Sequence, residues 1–373
     1  MKIGVYLEGN SWGDIGPETI SKGLGGRETA AVRLSECWAD MGHEVHLFVP
    51  RETSATYARE NGGSTTYMTT DMALPMLTSF EYDAVLSWES PEIFLVPGVR
   101  ENVKAALCGM QVAHFMTNDP EAILAPDCWV ALSEWHANFM ATQASGNMRN
   151  VSVMPNCVNI DLFDVRKPES MLNAPIQFLY ASSPDRGLVH LLRSWDVIRK
   201  EFPEAYLHVA YGIESFVGHA RFAHGEVGEM ALDIEGMIDQ EGIIYHGRIG
   251  QQDLAKLHSK CDALLYPCDP MSPTETGCIT VIEAAAAGNI PIITDADCLK
   301  SEFSDVAVVV SLPWDVEKYV RAARSTLNDR DLVADLRRRG RAFAESRSWN
   351  LVAKDWIDLF NETAESARQS VKP

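Results

Sequence analysis

Glu275 and Glu283 are two acids separated by seven residues in a stretch that is otherwise small or apolar. Apolar residues at three- and four-residue spacing predict a helix that follows Glu275 and ends at Gly288, and "IPIIT" predicts a short buried strand after it. Glu275 precedes this helix and Glu283 lies in its second turn. A buried carboxylate needs a partner, because burying an unpaired charge is costly. The residues alone leave two interpretations open: a helix cap and an ion pair, or a ligand with several hydroxyl groups at the helix start.

The composition restricts the class of protein. A chain of 373 residues accommodates two domains, and 46% hydrophobic with 23% charged residues is typical of a soluble globular protein. The net charge of −20 argues against general binding of nucleic acids or anionic membranes. The eight cysteines form no C-x-x-C pair, which favours reduced thiols in the core.

The chain opens directly with a strand-like run, "MKIGVYLEG", and contains no apolar run long enough to span a membrane. We therefore expect a cytoplasmic protein without a signal peptide or a transmembrane segment. Peripheral association with a membrane stays open.

Strand-like and helix-like segments alternate along the chain, which predicts an α/β fold with parallel sheets covered by helices. The predicted strands of the first series are "IGVYL", "EVHLFVP", "AVLSW", "QVAHFM", "CWVAL" and "VSVMP". Those of the second series are "IQFLYAS", "AYLHVAYG", "GIIYHG", "ALLYP", "IPIIT" and "VAVVV". A polar linker near 165–175 separates the two series, so we predict two doubly wound domains. Residues after about 314 are predicted to be helical, with Leu351, Trp356 and Phe360 on one stripe.

Three predicted strand-to-helix loops could bind phosphate, since ligands of such sheets lie at the carboxyl ends of the strands. The first, "KGLGGRE", contains Gly25 and Gly26, which would let backbone amides approach an anion. The second, "YASSPDRGL", contains two serines and Arg186, and the third is the start of the helix after Glu275. A flexible glycine turn and a surface arginine remain the alternatives. The chain contains no G-x-G-x-x-G, which argues against a dinucleotide-dependent dehydrogenase.

With these loops, the chain resembles the retaining glycosyltransferases of the GT-B fold, family 4 (group 1) type. The resemblance is carried by "GGRETAAVRLSECWADMGHEVHLF", "ALSEWHANFM", "VMPNCVNIDLF", "HGRIGQQDLAKLHSKCDALLYP" with the Glu-seven-Glu pair after it, and the C-terminal "SW…WIDLF". It implies two Rossmann-like domains that face each other across a cleft. Residues 1–165 would be the acceptor side, 166–348 the donor domain, and 349–373 a helix that packs back on the first domain.

The resemblance also implies an activity and roles for residues. The protein would transfer a hexosyl group, with retention, from a UDP or GDP sugar to an acceptor hydroxyl, without metal or another cofactor. Glu283 would bind the ribose hydroxyls and Glu275 the donor sugar near its 3-hydroxyl. The other predicted donor-binding residues are the backbone amides of Gly277, Cys278 and Ile279, the phosphate-binding Arg186, and Gly25, Gly26, Ser182, Ser183 and Arg248. The predicted catalytic residues are Glu275, Arg186 and Asn118.

The chain departs from the family pattern at three positions. Ala181 replaces an arginine, Asn118 replaces a histidine, and Cys278 stands at a glycine position. Two other functions therefore remain: a nucleotide-sugar epimerase or hydrolase of the same fold, and a non-catalytic nucleotide-sugar-binding protein. The strings "DAD" at 295–297 and "DRD" at 329–331 resemble metal sites of another transferase fold, but we do not expect them to bind metal.

Overall fold

The computed structural model describes residues 1–9, 13–146, 148, 150–164, 172–220 and 225–370. The chain forms two compact units. The first consists of Met1–Ile20, Leu24–Cys157 and Ser348–Pro373, and the second of Ser21–Gly23 and Val158–Arg347. The domain boundary that we predicted between residues 165 and 166 lies outside the described residues.

The sheet of the first unit is parallel except at one edge. Its strands are β1 Lys2–Leu7, β2 Glu44–Val49, β3 Ala55–Ala58, β4 Ser64–Thr69, β5 Ala84–Trp88, β6 Ala106–Gly109, β7 Cys128–Ala131 and β8 Val151–Val153. They lie in the order β3-β4-β2-β1-β5-β6-β7-β8, with β3 antiparallel to β4. The helices are α1 Pro17–Ile20, α2 Gly26–Asp40, α3 Ala73–Ser79, α4 Pro120–Leu124 and α5 Glu134–Gln143, with 3-10 turns at Thr70–Met72, Pro91–Leu95 and Arg100–Asn102.

The sheet of the second unit is parallel throughout the described residues. Its strands are β9 Gln177–Tyr180, β10 Tyr206–Val209, β11 Ile243–Tyr245, β12 Ala263–Tyr266, β13 Ile290–Thr294 and β14 Val308–Val310, in the order β11-β10-β9-β12-β13-β14. The helices are α6 Leu188–Arg193, α7 Trp195–Glu201, α8 Ile213–Ala220, α9 Glu226–Met237, α10 Gln251–Lys260, α11 Ile279–Ala286, α12 Leu299–Phe303, α13 Val316–Leu327 and α14 Arg330–Ser346. The strand order reverses between β9 and β12, and such a switch point opens a crevice at the carboxyl ends of the two strands.

The last helix, α15 Trp349–Ser370, belongs to the first unit, as the fold-class prediction required. Trp356 and Phe360 are buried, with ring centroids 6.2 and 5.3 Å from that of Trp38 on α2. Trp38 Nε1 also donates to the Ala353 carbonyl at 3.1 Å. The prediction was wrong for Leu351, which is 48% exposed. Five residues advance a helix by well over one turn, so Leu351 leaves the stripe that Trp356 and Phe360 share.

One further prediction for the first unit was wrong. The run "QVAHFM" is a loop, because "ALCG" before it forms β6 and is already paired with β5 and β7. The Gln111 amide donates to the Glu89 carboxylate at 3.2 Å, and His114 pairs with Gln143 at 3.1 Å. The hairpin of β3 and β4 was not predicted. In the second unit, the run "GLVHLLRSWDVIRK" forms two helices, α6 and α7, divided at Ser194.

All eight cysteines are buried and free, in agreement with core thiols. In the part of the chain that the structure describes, no helix combines the length and the apolar character that crossing a membrane requires.

Candidate functional site

An ion pair between a partly exposed arginine and a fully buried acid lies at the switch point of the second unit. Arg186, in the loop after β9, donates from Nη1 to Glu275 Oε1 at 2.5 Å. Tyr266, the last residue of β12, donates its hydroxyl to the same oxygen at 2.6 Å and lies 3.3 Å from Ser182 Oγ. The Glu275 residue is fully buried. Two segments, the loop after β9 and the end of β12, therefore converge on one carboxyl group, and their strands flank the switch point.

Two buried polar atoms of the same pair make no hydrogen bond with the described residues. These atoms are Glu275 Oε2 and Arg186 Nε. Burial acts most strongly and would lower the pKa of Arg186, but the surrounding groups, Glu275 first among them, together raise that pKa well above its usual value. The guanidinium therefore stays charged. An unmet buried hydrogen-bonding atom costs about 1–3 kcal/mol, so a ligand that donates to Oε2 would recover that cost.

Glu283 occupies the second turn of α11, as predicted, and is 5% exposed. Its carboxyl group makes no hydrogen bond or ion pair with the described residues, and burial raises its pKa to about 8. At neutral pH the group is therefore mostly protonated. Ligand hydroxyls that donate to it would stabilise the ionised form.

The start of α11 lies beside Glu275. Cys278 is the N-cap residue and Ile279 begins the helix, so the first-turn amides point toward the crevice end of the helix. Thr280 Oγ1 donates to the Ala181 carbonyl, which fastens the loop after β9 to this helix. A helix N-terminus of this kind stabilises an anion through its amides and dipole. The predicted amides of Gly277, Cys278 and Ile279 therefore lie next to the Arg186–Glu275 pair.

The loop from Ser182 to Gly187 follows the end of β9 closely. The Ser183 carbonyl accepts from the Tyr180 hydroxyl at 2.6 Å and from the Arg186 amide at 3.1 Å. Gly187 has a φ of 102°, and a Cβ there would lie 2.1 Å from the Pro267 carbonyl oxygen. Only glycine fits this position, so the loop can hold Arg186 against the end of β12.

Arg248 follows β11, and its Nε donates to the Gly23 carbonyl at 2.8 Å. Burial raises the pKa of Tyr211, while the positive charges of Arg186 and Arg248 act in the opposite direction. Both arginines therefore lie near the Tyr211 ring. The donor-binding role of Arg248 stays a prediction.

Three predicted site residues belong to the first unit: Gly25, Gly26 and Asn118. Gly25 is the extended N-cap of α2 and Gly26 its first residue, so this glycine pair does begin a long helix. Asn118 is exposed in the loop before α4. Asn118 belongs to the first unit, whereas Arg186 and Glu275 belong to the second.

A charged cluster in the first unit escaped the sequence analysis. Arg27 donates from Nη1 to Glu89 at 2.7 Å and from Nη2 to Glu28 at 3.0 Å, and both acids are buried. Glu89 has a φ of 63°, an uncommon conformation for this residue type. The available signal was its position directly after the buried run "AVLSW".

The "DAD" and "DRD" aspartates accept hydrogen bonds from backbone amides. Asp295 accepts from Leu312 at 2.7 Å, and Asp297 accepts from Thr274 and Glu275 at 2.8 and 2.9 Å. Asp329 caps α14. Within the described residues, no group of three or more His, Cys, Asp or Glu side chains is arranged to hold a metal ion.

Residues 175–343 match the family model described as "Glycosyl transferases group 1". The second unit carries this group 1 segment. The segment contains Arg186, Glu275 and Glu283, so the family match and the ion pair concern the same part of the chain. No curated protein matches the sequence.

The chain is similar over nearly its whole length to solved glycosyltransferase structures. Sucrose-phosphate synthase from Thermosynechococcus elongatus has a TM-score of 0.69 at 16% identity, covering 98% of this chain and 99% of that chain. A glycosyltransferase from Rickettsia africae has a TM-score of 0.70 at 14% identity, covering 97% and 98%. HepE from Anabaena, solved with UDP and glucose, has a TM-score of 0.66 at 11% identity, covering 96% and 99%. These likenesses confirm the predicted GT-B fold with two Rossmann-like domains.

Proposed function

We propose that the protein transfers a sugar from a nucleotide-diphosphate sugar to an acceptor hydroxyl. The observation that carries the proposal is the Arg186–Glu275 pair beside the start of α11, with the buried Glu275 Oε2 left without a partner among the described residues. Arg186 and the helix amides could bind a diphosphate. Glu275 Oε2 could accept a hydrogen bond from a sugar hydroxyl. The group 1 match over 175–343 supports the same reaction class.

In this proposal, each group acts on one part of the donor. Arg186 and the first-turn amides of α11 bind the diphosphate, Glu275 Oε2 accepts from a sugar hydroxyl, and Glu283 accepts from the ribose diol. The bond between the anomeric carbon and the diphosphate oxygen breaks while the acceptor oxygen forms a bond to the same carbon. The acceptor proton passes to the departing diphosphate. Arg186 stabilises the charge that grows on this leaving group.

Two features of the reaction are part of the proposal. Transfer on the face that the diphosphate leaves would retain the anomeric configuration and would need no carboxylate nucleophile. The arginine and the helix amides would take the place of a metal ion on the diphosphate. UDP is a reasonable first nucleotide to test because the structurally similar HepE was solved with UDP and glucose.

The test is a donor screen with product analysis. Purified protein is incubated with UDP-glucose and GDP-mannose, with and without a panel of sugar and polyol acceptors, in the presence of excess chelator. We expect UDP or GDP release that requires an acceptor, and a product whose anomeric configuration, read by proton NMR, matches the donor. Release without an acceptor would indicate a hydrolase, and binding without any release would indicate a non-catalytic protein.

A further inference from the structure

The peptide that carries Glu275 is held by the loop that follows β13. Asp297 Oδ2 accepts from the Thr274 amide at 2.8 Å and from the Glu275 amide at 2.9 Å. In return, the Cys298 amide donates to the Glu275 carbonyl at 3.3 Å. One residue pair, Asp297 and Cys298, therefore fixes both the amide and the carbonyl of Glu275.

Asp297 adopts a backbone conformation that suits this contact. Its φ is 48°, in the left-handed region that most residues avoid and that aspartate tolerates better than most. Surrounding structure must maintain such a conformation. The two hydrogen bonds from backbone amides to Asp297 Oδ2 can stabilise this conformation.

The Glu275 side chain is fixed from another direction. Arg186 and Tyr266 both donate to Oε1, which leaves Oε2 as the open atom. The position of Oε2 therefore depends on two anchors: the side-chain donors and the backbone clamp at Asp297. A group that contacts a substrate must be held closely, because a displacement of about 1 Å can cost 10²-fold in rate.

We propose that Asp297 is a positioning residue that fixes the Glu275 carboxyl group against the sugar of the donor. This inference rests on the proposed function, since it assigns Glu275 to the donor sugar. Asp297 does not touch the substrate. It acts through the backbone amides of Thr274 and Glu275.

Asp295 provides a matched control in the same loop. It is the same residue type, is also partly buried, and also accepts from a backbone amide, that of Leu312 at 2.7 Å. Leu312 follows β14, so Asp295 contacts a different segment of the chain from the one that carries Glu275. A loss that follows merely from disturbing this loop would affect both aspartates.

The experiment compares Asp297→Gly, Asp297→Asn and Asp295→Gly with the wild type. Glycine accepts the left-handed φ but lacks the carboxylate, whereas asparagine tolerates this φ and keeps one oxygen acceptor. We expect Asp297→Gly to lower kcat with the active nucleotide sugar about 10- to 100-fold. Its affinity for free UDP or GDP should change less than about twofold, because these ligands lack the sugar that Glu275 contacts. Asp297→Asn and Asp295→Gly should retain most of the activity.

Hydrogen–deuterium exchange gives a measurement independent of activity. The peptide that contains Thr274 and Glu275 should exchange faster in Asp297→Gly than in the wild type, and at the wild-type rate in Asp295→Gly. The inference is overturned if Asp297→Gly keeps the wild-type kcat, if its nucleotide affinity falls as much as kcat, or if Asp295→Gly shows the same loss. If the wild type neither binds nucleotides nor transfers sugar, the proposed function itself has failed and this inference falls with it.

Discussion

Arg186 Nη1 lies 2.5 Å from Glu275 Oε1, so the one cation that we assign to the donor diphosphate is already paired with the acid that we assign to the donor sugar. A guanidinium has several donors in a planar fork and can hold a carboxylate and a phosphate oxygen at the same time. A lysine offers a point charge on a flexible stem. Arg186 therefore couples the position of the sugar-binding acid to the position of the leaving group.

Replacement of Arg186 should affect the chemical step as well as binding. Charge builds on the diphosphate as the glycosidic bond breaks, and Ala181 supplies no second side-chain donor. We expect Arg186→Ala to lower kcat/KM by roughly 10²–10³, partly through kcat, and Arg186→Lys to recover part of the loss. Steady-state kinetics with varied donor measures the division between kcat and KM. The control is Arg193→Ala, which breaks an exposed ion pair with Asp233 in the same unit. A rise in KM alone would show that Arg186 only binds.

Glu283 should couple nucleotide binding to proton release. Its pKa is about 8 without ligand, and two donated hydroxyl bonds would favour the ionised form. We expect UDP binding near pH 7 to release a proton, seen as a calorimetric enthalpy that varies with the buffer's ionisation enthalpy. Glu283→Gln should abolish this dependence and weaken binding by about 1–3 kcal/mol. Removal of the 2′-hydroxyl from the nucleotide should reduce affinity less in Glu283→Gln than in the wild type. An unchanged affinity of the variant would contradict the ribose assignment.

The same residue should make stability depend on pH. Because the folded-state pKa of Glu283 is raised from 4.5 to about 8, the folded protein keeps a proton that the unfolded chain loses above about pH 4.5. The stability from this group is fully present below pH 4.5 and is lost as pH rises through about 8. We expect the difference in free energy of unfolding between Glu283→Gln and the wild type to grow between pH 5 and 8.5, at roughly 1.4 kcal/mol per pH unit at most. Denaturant unfolding measures it, with the exposed Glu362→Gln as the control. Parallel pH profiles would exclude a buried, unpaired Glu283.

The C-terminal helix α15 offers a test of the fold. Trp356 is buried against Trp38 and Phe360, so Trp356→Ala should destabilise the first unit by about 3–5 kcal/mol. Leu351→Ala, on the same helix, should change stability by less than about 0.5 kcal/mol because Leu351 is 48% exposed. Thermal unfolding of the two variants checks this contrast. Equal losses would show that the helix does not pack through the stripe described here.

Local patterns in the sequence were sufficient for most of the secondary structure. The apolar spacing around Glu283 predicted α11, and the run "IPIIT" predicted β13. Both features depend on neighbours within one or two helical turns. The pairing of Arg186 with Glu275 brings together residues 89 positions apart, and no local pattern encodes that contact.

The errors have a common cause. "QVAHFM" has the apolar content of a strand, but "ALCG" had already taken the place between β5 and β7, and only strand pairing decides between them. In the sequence Asp297 belongs to a string that resembles a metal motif, and its contact with the Glu275 amide becomes visible only when the loop after β13 is placed beside α11. Glu89 was missed because its partner Arg27 lies 62 residues earlier.

The assignment of α15 to the first unit determines which fragments of this protein can be made. Apart from the three residues Ser21–Gly23, the second unit is one continuous stretch of chain, whereas the first is completed only by residues after 347. Ending an expression plasmid's reading frame at 347 would remove Trp356 and Phe360 and leave the Trp38 indole without its aromatic neighbours. Deletion of α15 from the C-terminus would therefore destabilise the first unit, which contains the N-terminus of the chain.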